Sequence, residues 1–193
     1  MEERFMRVLD LGCGTGQDLA AWGVTSSDWV TGLDIELGRL RIAKTRFSDR
    51  RFLQAVGESL PFKAESFGFV VSSVALPYMN IPLTLAEIYR VLIPGGALSL
   101  SLHLPGFTMN EFVRHALPRP VPTFFRLYVM ANGLLFHWTG NTIGFANGRT
   151  ESFQTERGMR IALQRAGFVD SSFIRGSGPS GSTFTVEARR ARN

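Results

Sequence analysis

Apolar and polar positions follow one another along this chain in blocks that are typical of strands and helices in turn. Helical spacing predicts helices at about 17–22, at 40–47, at 80–92 and at about 151–166. Short apolar runs predict strands at 7–10, 29–35, 52–56, 67–73, 97–102, 168–174 and 183–188. Because strands and helices alternate and two strands end the chain, the pattern predicts an open α/β sandwich.

Turn and cap residues support several of these boundaries. Asn80 can cap a helix that has Pro82 in its first turn. The sequence Pro-Gly-Gly at 94–96 predicts a turn that leads into the strand at 97–102, and Gly167 predicts the end of the last helix. The run at 67–73 is apolar almost throughout, as expected for a strand buried on both faces of a parallel sheet.

A glycine-rich segment follows the first predicted strand. Residues 7–17 are RVLDLGCGTGQ, with glycines at alternate positions. Such glycines let the backbone turn sharply off a strand and lie directly against a ligand. The dinucleotide fingerprint G-x-G-x-x-G needs a glycine at the position of Gln17, so the spacing argues against NAD. The pattern is instead D-x-G-x-G-x-G, with Asp10 two places before Gly12.

This pattern resembles motif I of the class I S-adenosylmethionine (SAM)-dependent methyltransferases. The segment 56–67, VGESLPFKAESF, is similar to D-A-E-x-L-P-F-x-x-x-S-F of that family, which borders the adenine pocket. The segment 87–96, EIYRVLIPGG, is similar to the E-x-x-R-V-L-K-P-G-G that leads into the fifth strand. The resemblance covers about residues 7–102 and implies a Rossmann-like sandwich. Its seven-stranded sheet would be mostly parallel, with an antiparallel last strand.

The same resemblance implies SAM as cofactor and S-adenosylhomocysteine as product. Ligands bind such sheets at the carboxyl ends of the strands. Asp10 would face the SAM ammonium group, Asp34 would accept both ribose hydroxyls, and Ile35 would lie on the adenine. A carboxylate at the position of Asp34 also serves NAD, so that residue alone does not discriminate. The expected cofactor-binding residues are Asp10, Gly12, Cys13, Gly14, Gln17, Asp34, Ile35, Gly57, Glu58 and Ser73.

The chain departs from the family pattern in three places. Val56 stands where an acidic residue commonly contacts the adenine amino group, and Gly68 stands where the F-D-x-V segment has Asp. Glu58 is a possible substitute at the adenine edge. The helices that usually precede the first strand and help to cover the cofactor are expected to be either absent or cut away from this sequence. These departures leave a second hypothesis open, a SAM-binding domain with little or no catalysis.

Residues 103–150 are interpreted as an insertion within a domain made of 1–102 and 151–193. The insertion is rich in aromatic residues, which fits either helical packing at the sheet edge or a cap over a lipophilic or aromatic acceptor. Its most apolar stretch, 124–138, is too short and too polar to span a bilayer. No transmembrane segment is therefore expected.

Composition and charge restrict the remaining possibilities. At 193 residues the chain suits one buried core, and its net charge is +5. The positive excess lies in 103–150 and 151–193, with +3 in each. That excess suits an anionic substrate, nucleic acid, a membrane surface or a solvated face. Because no RNA-recognition motif accompanies it, no nucleic-acid partner is expected. We expect a cytoplasmic protein; a homodimer remains possible. Cys13, the single cysteine, is either a small residue of the glycine segment or a reactive thiol.

Methyl transfer requires mainly that the acceptor atom be held in line with the methyl carbon. A hydroxyl or acidic carbon also needs a base. The candidates are His103, just past the fifth strand, and Tyr78, in the loop after the fourth; His115 and His137 lie in the insertion. His103 is favoured because its strand end points toward the expected site. No His, Cys and Asp spacing suggests a metal site. The sequence thus predicts a SAM-dependent methyltransferase acting on a small, lipophilic or aromatic molecule. An NAD-binding oxidoreductase is the weaker alternative.

Overall fold

The computed structural model describes residues 6–16, 19–103, 106, 120–145, 150–176 and 183–192. Seven strands form one sheet in the order β3-β2-β1-β4-β5-β7-β6. Neighbouring strands from β3 to β5 are parallel, whereas β7 runs antiparallel to both β5 and β6. The predicted mostly parallel sheet with an antiparallel last strand is therefore confirmed. The strands are β1 (Arg7–Leu11), β2 (Trp29–Asp34), β3 (Arg51–Gln54), β4 (Phe67–Ser73), β5 (Leu92–His103), β6 (Phe168–Arg175) and β7 (Thr183–Arg190).

Four α-helices and two short 3-10 turns accompany the sheet in the described residues. The 3-10 turns are Ala20–Trp22 and Leu76–Tyr78, and the helices are α1 (Leu37–Arg46), α2 (Ile81–Val91), α3 (Pro120–Thr139) and α4 (Glu156–Arg165). As predicted, Asn80 caps α2: its side-chain oxygen accepts a hydrogen bond from the Leu83 N–H at 3.3 Å. Within this part of the chain, no helix has the length and hydropathy needed to span a bilayer.

The core lies on the two faces of the sheet. On one face, the apolar sides of α2 and α4 cover β1, β4, β5 and β7, and residues such as Leu85, Ile88 and Leu163 are fully buried there. A smaller cluster on the other face joins Val8 and Val71 to Leu19. β4 contributes to both clusters, as its continuous apolar run predicts.

Three predicted boundaries are corrected by the structure. The helix expected at about 17–22 is described only as the 3-10 turn Ala20–Trp22, which ends at Gly23 in a left-handed conformation; Gln17 and Asp18 lie outside the described residues. The third strand ends at Gln54 rather than at 56, because its pairing with β2 stops opposite Asp34. The last helix begins at 156, where the Thr155 hydroxyl caps it by accepting from the Gly158 N–H.

The Pro-Gly-Gly segment at 94–96 forms an irregularity inside β5 instead of the predicted turn before it. Phe67 pairs with Leu92 and Phe69 pairs with Ala97, so β5 uses three more residues than β4 over this stretch. Gly95 adopts a φ of +76°, which suits glycine at such a bulge. Proline and glycine interrupt regular pairing here without ending the strand.

α3 packs through its inner face on the segment 150–155, which has no regular secondary structure. The Asn132 amide group donates to the carbonyls of Ile143 and Glu151 at 3.1 and 2.9 Å, and its oxygen accepts from the Ile143 N–H at 2.8 Å. Gly133 lies against the buried ring of Phe153. These contacts fix α3 to the segment that leads into α4.

We predict that Gly133→Ala lowers the free energy of unfolding by roughly 1–3 kcal/mol. A Cβ there would lie 2.1 Å from the Phe153 Cδ1 atom, so the helix or the ring would have to move. Gly38→Ala in α1 is the matched control, because its Cβ meets nothing within 4 Å and alanine favours a helix by about 0.5–1 kcal/mol. Urea unfolding followed by circular dichroism measures both. Equal stability of the two variants would contradict this packing of α3.

Candidate cofactor and acceptor site

The carboxyl ends of β1 and β2 meet at one edge of the sheet. Asp10 pairs in register with Gly32, and the Asp10 side chain is 1% exposed. The N–H groups of Gly12 and Cys13 both donate to the carbonyl of Leu33, at 2.7 and 3.0 Å. The glycine segment is therefore anchored to the end of β2 as soon as it leaves β1.

The three glycines of this segment all have positive φ, but they differ in what faces them. A Cβ on Gly12 would lie 2.1 Å from the Ala75 Cβ, and one on Gly16 would lie 2.7 Å from the Phe47 ring. A Cβ on Gly14 would meet nothing within 4 Å. Gly12 and Gly16 thus allow the segment to pack against its neighbours, whereas Gly14 borders open space where a ligand can approach.

Asp34 holds the glycine segment against the start of α1. One carboxylate oxygen accepts from the Gly14 N–H and the other from the Glu36 N–H, each at 2.8 Å. An ionised carboxylate has about four acceptor positions, so two backbone bonds leave it able to accept more. The adjacent Ile35 side chain is 64% exposed. An acceptor and an apolar surface therefore lie side by side next to the Gly14 backbone.

Cys13 belongs to the packing of this edge. Burial raises the pKa of its thiol to about 12, and the negative charges of Asp10 and Asp34 add to the effect. The thiol stays protonated at neutral pH, which argues against a reactive nucleophile. Gly32 makes room for it, since a Cβ there would lie 2.8 Å from the Cys13 sulfur.

The predicted adenine-edge residues lie on the loop at 57–62, which is hydrogen-bonded to both ends of α2. The Glu58 carboxylate accepts from the Asn80 N–H at 2.6 Å, before the helix starts. At the other end, the Glu87 carboxylate accepts from the Leu60 N–H at 2.8 Å, and Arg90 donates to the Leu60 carbonyl at 3.0 Å. The structure therefore gives Glu58 a backbone partner of its own.

Gly57 and the two departures from the family pattern occupy different surroundings. Gly57 is buried, and a Cβ there would lie 2.7 Å from the Met79 sulfur. Val56 is 41% exposed beside this loop. Gly68 lies near the amino end of β4 against Met6, about 16 Å along the strand from Ser73. The missing carboxylate at Gly68 is therefore remote from the carboxyl edge.

Both predicted bases lie at the carboxyl edge of the sheet. Tyr78 follows β4, and its side chain is 60% exposed. Partial burial of the hydroxyl raises the pKa of Tyr78 above 10.0, and the negative charge of Glu151 adds to this effect. His103 ends β5, two residues beyond Ser101, the register partner of Ser73. Burial lowers the pKa of half-buried His103 below 6.5, so its ring is neutral at neutral pH. Ser73 itself is half-buried at the end of β4.

Sequence reasoning did not single out three features of this edge. Glu151 lies close enough to Tyr78 to affect its pKa, and no local pattern indicates this. Val74, which follows Ser73, has a φ of +58°, a conformation that is unusual for a β-branched residue. Glu87 and Arg90 form an ion pair at 2.7 Å, for which their i, i+3 spacing is a signal in the sequence.

A family model described as "Methyltransferase domain" matches residues 9–100, just under half of the chain. These residues form a class I SAM-dependent methyltransferase domain. The matched range contains the glycine segment, Asp34, the loop at 57–62 and α2. SAM is accordingly the cofactor of the family to which this domain belongs.

Curated relatives match the methyltransferase domain over part of their own length. The chain is 35% identical over 99 residues to the malonyl-[acyl-carrier protein] O-methyltransferase of Salmonella typhimurium, covering 51% of this chain and 39% of that protein. It is 36% identical over 119 residues to the demethylmenaquinone methyltransferase of Renibacterium salmoninarum, covering 58% and 50%. The matched segments thus span half or less of these relatives.

A solved SAM-dependent methyltransferase from Methanosarcina mazei has the same fold. Its TM-score against this chain is 0.67 at 19% identity, and the superposition covers 99% of this chain and 95% of that one. This likeness extends through the region of α3, α4 and the last two strands, beyond the segment that the family model matches. Among the described residues of the methyltransferase domain and its flanks, no three His, Cys, Asp or Glu side chains cluster as metal ligands.

We predict that Arg90→Ala lowers the free energy of unfolding by about 1–3 kcal/mol, because it removes the hydrogen bonds that Arg90 donates to Glu87 and to the carbonyls of Leu60 and Phe62. The hydrogen bond from Arg90 lowers the pKa of Glu87 below 4.5. The stabilisation from this hydrogen bond is present above pH 4.5 and is lost as the pH falls through the lowered pKa of Glu87. The difference in free energy of unfolding between wild type and variant should therefore shrink in acid.

Arg39→Ala is the control for this substitution. It breaks an exposed i, i+3 pair with Glu36 at 3.5 Å and should change stability by no more than about 0.5 kcal/mol. Denaturant unfolding at neutral and acidic pH measures both variants. A difference for Arg90→Ala that does not vary with pH would argue against the role of Glu87.

Proposed function

We propose that this chain catalyses SAM-dependent methyl transfer to a small, lipophilic or aromatic acceptor by in-line displacement. The observation that carries the proposal is the edge where Gly14 borders open space beside the Asp34 carboxylate and exposed Ile35, within a methyltransferase domain. SAM, when bound, supplies a methyl group on a sulfonium that already activates it for transfer. The protein therefore has mainly to bind and orient two molecules.

The residues of this edge fit SAM in charge and shape. Asp10 supplies a negative charge for the ammonium group. Gly12 and Cys13 hold the segment on Leu33, so that the open side of Gly14 can lie against the methionine portion. Asp34 retains acceptor positions for ribose hydroxyls. Ile35 offers an exposed apolar surface for the adenine, and Gly57 and Glu58 lie on the loop proposed for the adenine edge. Ser73 lies at the end of β4, while Gln17 lies outside the described residues.

The insertion supports an apolar acceptor. The rings of Phe125, Tyr128 and Phe145 form a cluster with centroids 4.8–5.7 Å apart, between α3 and the segment after it. The backbone of Ser152 donates to the Pro77 carbonyl at 3.3 Å, which joins the segment under α3 to the 3-10 turn that carries Tyr78. We therefore assign 103–150 the role of a cap beside the acceptor. A curated relative named for demethylmenaquinone has an aromatic, lipophilic acceptor of this class.

His103 is better suited than Tyr78 to take a proton from the acceptor. A raised pKa keeps the Tyr78 hydroxyl protonated at neutral pH, so Tyr78 can donate a hydrogen bond but is a poor base. A lowered pKa keeps His103 neutral and able to accept a proton. We assign the base to His103 and an orienting hydrogen bond to Tyr78.

We predict that SAM and S-adenosylhomocysteine bind this protein in a calorimetric titration and that NAD does not. Asp34→Asn should weaken SAM binding at least about tenfold, because an amide nitrogen would replace one of the two oxygens that accept from Gly14 and Glu36.

Asp49→Asn is the matched control, an identical change at an exposed position after α1. It should leave the affinity for SAM unchanged. Binding of NAD alone would overturn the proposed function. Tight SAM binding without turnover of any phenol, quinol or amine would instead favour a SAM-binding domain with little catalysis.

For an acceptor that must lose a proton, we predict that kcat/KM stays level from mildly alkaline pH down to 6.5 and falls only below it. The reason is that the lowered pKa of His103 keeps its ring neutral over that range. His103→Gln should reduce kcat by about 10²–10⁴-fold and remove the acidic fall. His137→Gln is the control, since His137 on α3 pairs with the Thr155 hydroxyl before α4. An unchanged acidic fall in His103→Gln would exclude His103 as the base.

A further inference from the structure

The outward face of α3 is apolar and exposed along its described length. Phe124, Leu127, Leu134 and Trp138 are 71%, 52%, 54% and 63% exposed, and Ala131 between them is exposed as well. Spacings of three and four residues place all five on one side of the helix, over about 21 Å. We call these five residues the outer stripe.

The fold does not need the outer stripe. The opposite side of α3 already packs on the domain through Asn132, Gly133 and Phe136, all of which are buried. A helix that is apolar on both sides normally has a partner on both sides. Exposed apolar surface of this extent marks a contact with something outside the domain.

The charges beside the outer stripe are predominantly basic. The Arg157 guanidinium lies 4.6 Å from the centre of the Trp138 ring, and Arg165 donates to the Thr139 carbonyl at the end of α3. α4, which packs against α3, carries three arginines and one acidic residue, Glu156, which is paired with Arg175 at 2.6 Å. A second copy of this chain would bring the same positive charge, whereas an anionic surface would neutralise it.

We propose that the outer stripe is a docking surface for an anionic phospholipid bilayer. α3 lies in the plane of the head groups with Phe124, Leu127, Leu134 and Trp138 directed toward the acyl chains. Arg157, which lies over the Trp138 ring, contacts the lipid phosphates. An amphipathic helix with aromatic and leucine side chains on one face and flanking arginines is the usual form of such an interfacial contact.

This placement brings the lipid surface next to the candidate acceptor site. The inner side of α3 holds the Glu151 carbonyl through Asn132, and the neighbouring Ser152 contacts Pro77 beside Tyr78. A lipophilic acceptor can then move from the bilayer to the carboxyl edge without crossing water. The bilayer contact depends on α3 and α4 alone, whereas its use in acceptor delivery rests on the proposed function.

The experiment is flotation of the full chain, without SAM, with phosphatidylcholine vesicles that contain or lack phosphatidylglycerol. We expect the protein to float with the anionic vesicles and to be released by salt. Leu134→Asp, and independently Leu127→Asp, should lower the vesicle partition coefficient about tenfold or more, since each removes an apolar side chain from the contact and adds a negative charge. Arg157→Gln should also weaken binding to the anionic vesicles.

Leu83→Asp is the matched control, because Leu83 lies on α2 and is 54% exposed, the same as Leu134. It should float like the wild type, and circular dichroism and SAM titration establish that all variants are folded. No flotation of the wild type, or equal loss in Leu83→Asp and Leu134→Asp, would overturn the proposal. So would a stable dimer that Leu134→Asp converts to a monomer, because the outer stripe would then join two copies. Vesicle binding without SAM binding would uphold the docking surface and overturn the proposed function.

Discussion

The two hydrogen bonds accepted by Asp34 determine the shape of the candidate site. They join the glycine segment after β1 to the start of α1 after β2, at 2.8 Å each. The carboxylate is 8% exposed, so it needs such partners, since a buried charge without them is strongly unfavourable. The same negative charge also helps to keep the Cys13 thiol protonated. One carboxylate thus organises the backbone around the site, and the same carboxylate is proposed to bind the ribose hydroxyls.

α2 has a comparable role on the other side of this edge. Its Asn80 end holds Glu58, and its Glu87–Arg90 end holds Leu60 and Phe62. The two family-like segments, 56–67 and 87–96, are separate in sequence but form one unit in the structure. Their residue types are therefore linked: the acidic and basic side chains of the second segment satisfy backbone groups of the first. The likeness at 87–96 reflects support of the proposed adenine loop in addition to helix and strand boundaries.

The sequence could predict the strands and helices that are determined by their own residues and not by contacts with distant parts of the chain. β4 follows from seven residues that are apolar almost throughout, and α2 follows from its cap and one apolar side. Pro-Gly-Gly chemistry fits a turn and a bulge equally well, so the bulge in β5 depended on pairing with β4. The path of segment 150–155 depends on its contacts with Asn132 and Gly133, which form only when α3 packs. For the same reason the open side of Gly14 could not be distinguished in sequence from the packed sides of Gly12 and Gly16.

The aromatic insertion fitted two hypotheses, helical packing and a cap, and both concern the side of α3 that faces the domain. Buried residues such as Phe136 account for packing on the domain, and a helix that only packed would be polar outside. Packing on the domain does not involve the exposed side chains of Phe124, Leu127, Leu134 and Trp138. An exposed apolar side lowers the solubility of a protein unless a partner covers it. The inner contacts hold the segment beside Tyr78 in place whether or not the outer side is occupied. Binding at the outer stripe can therefore position the whole domain at a surface while the geometry of the candidate site stays unchanged.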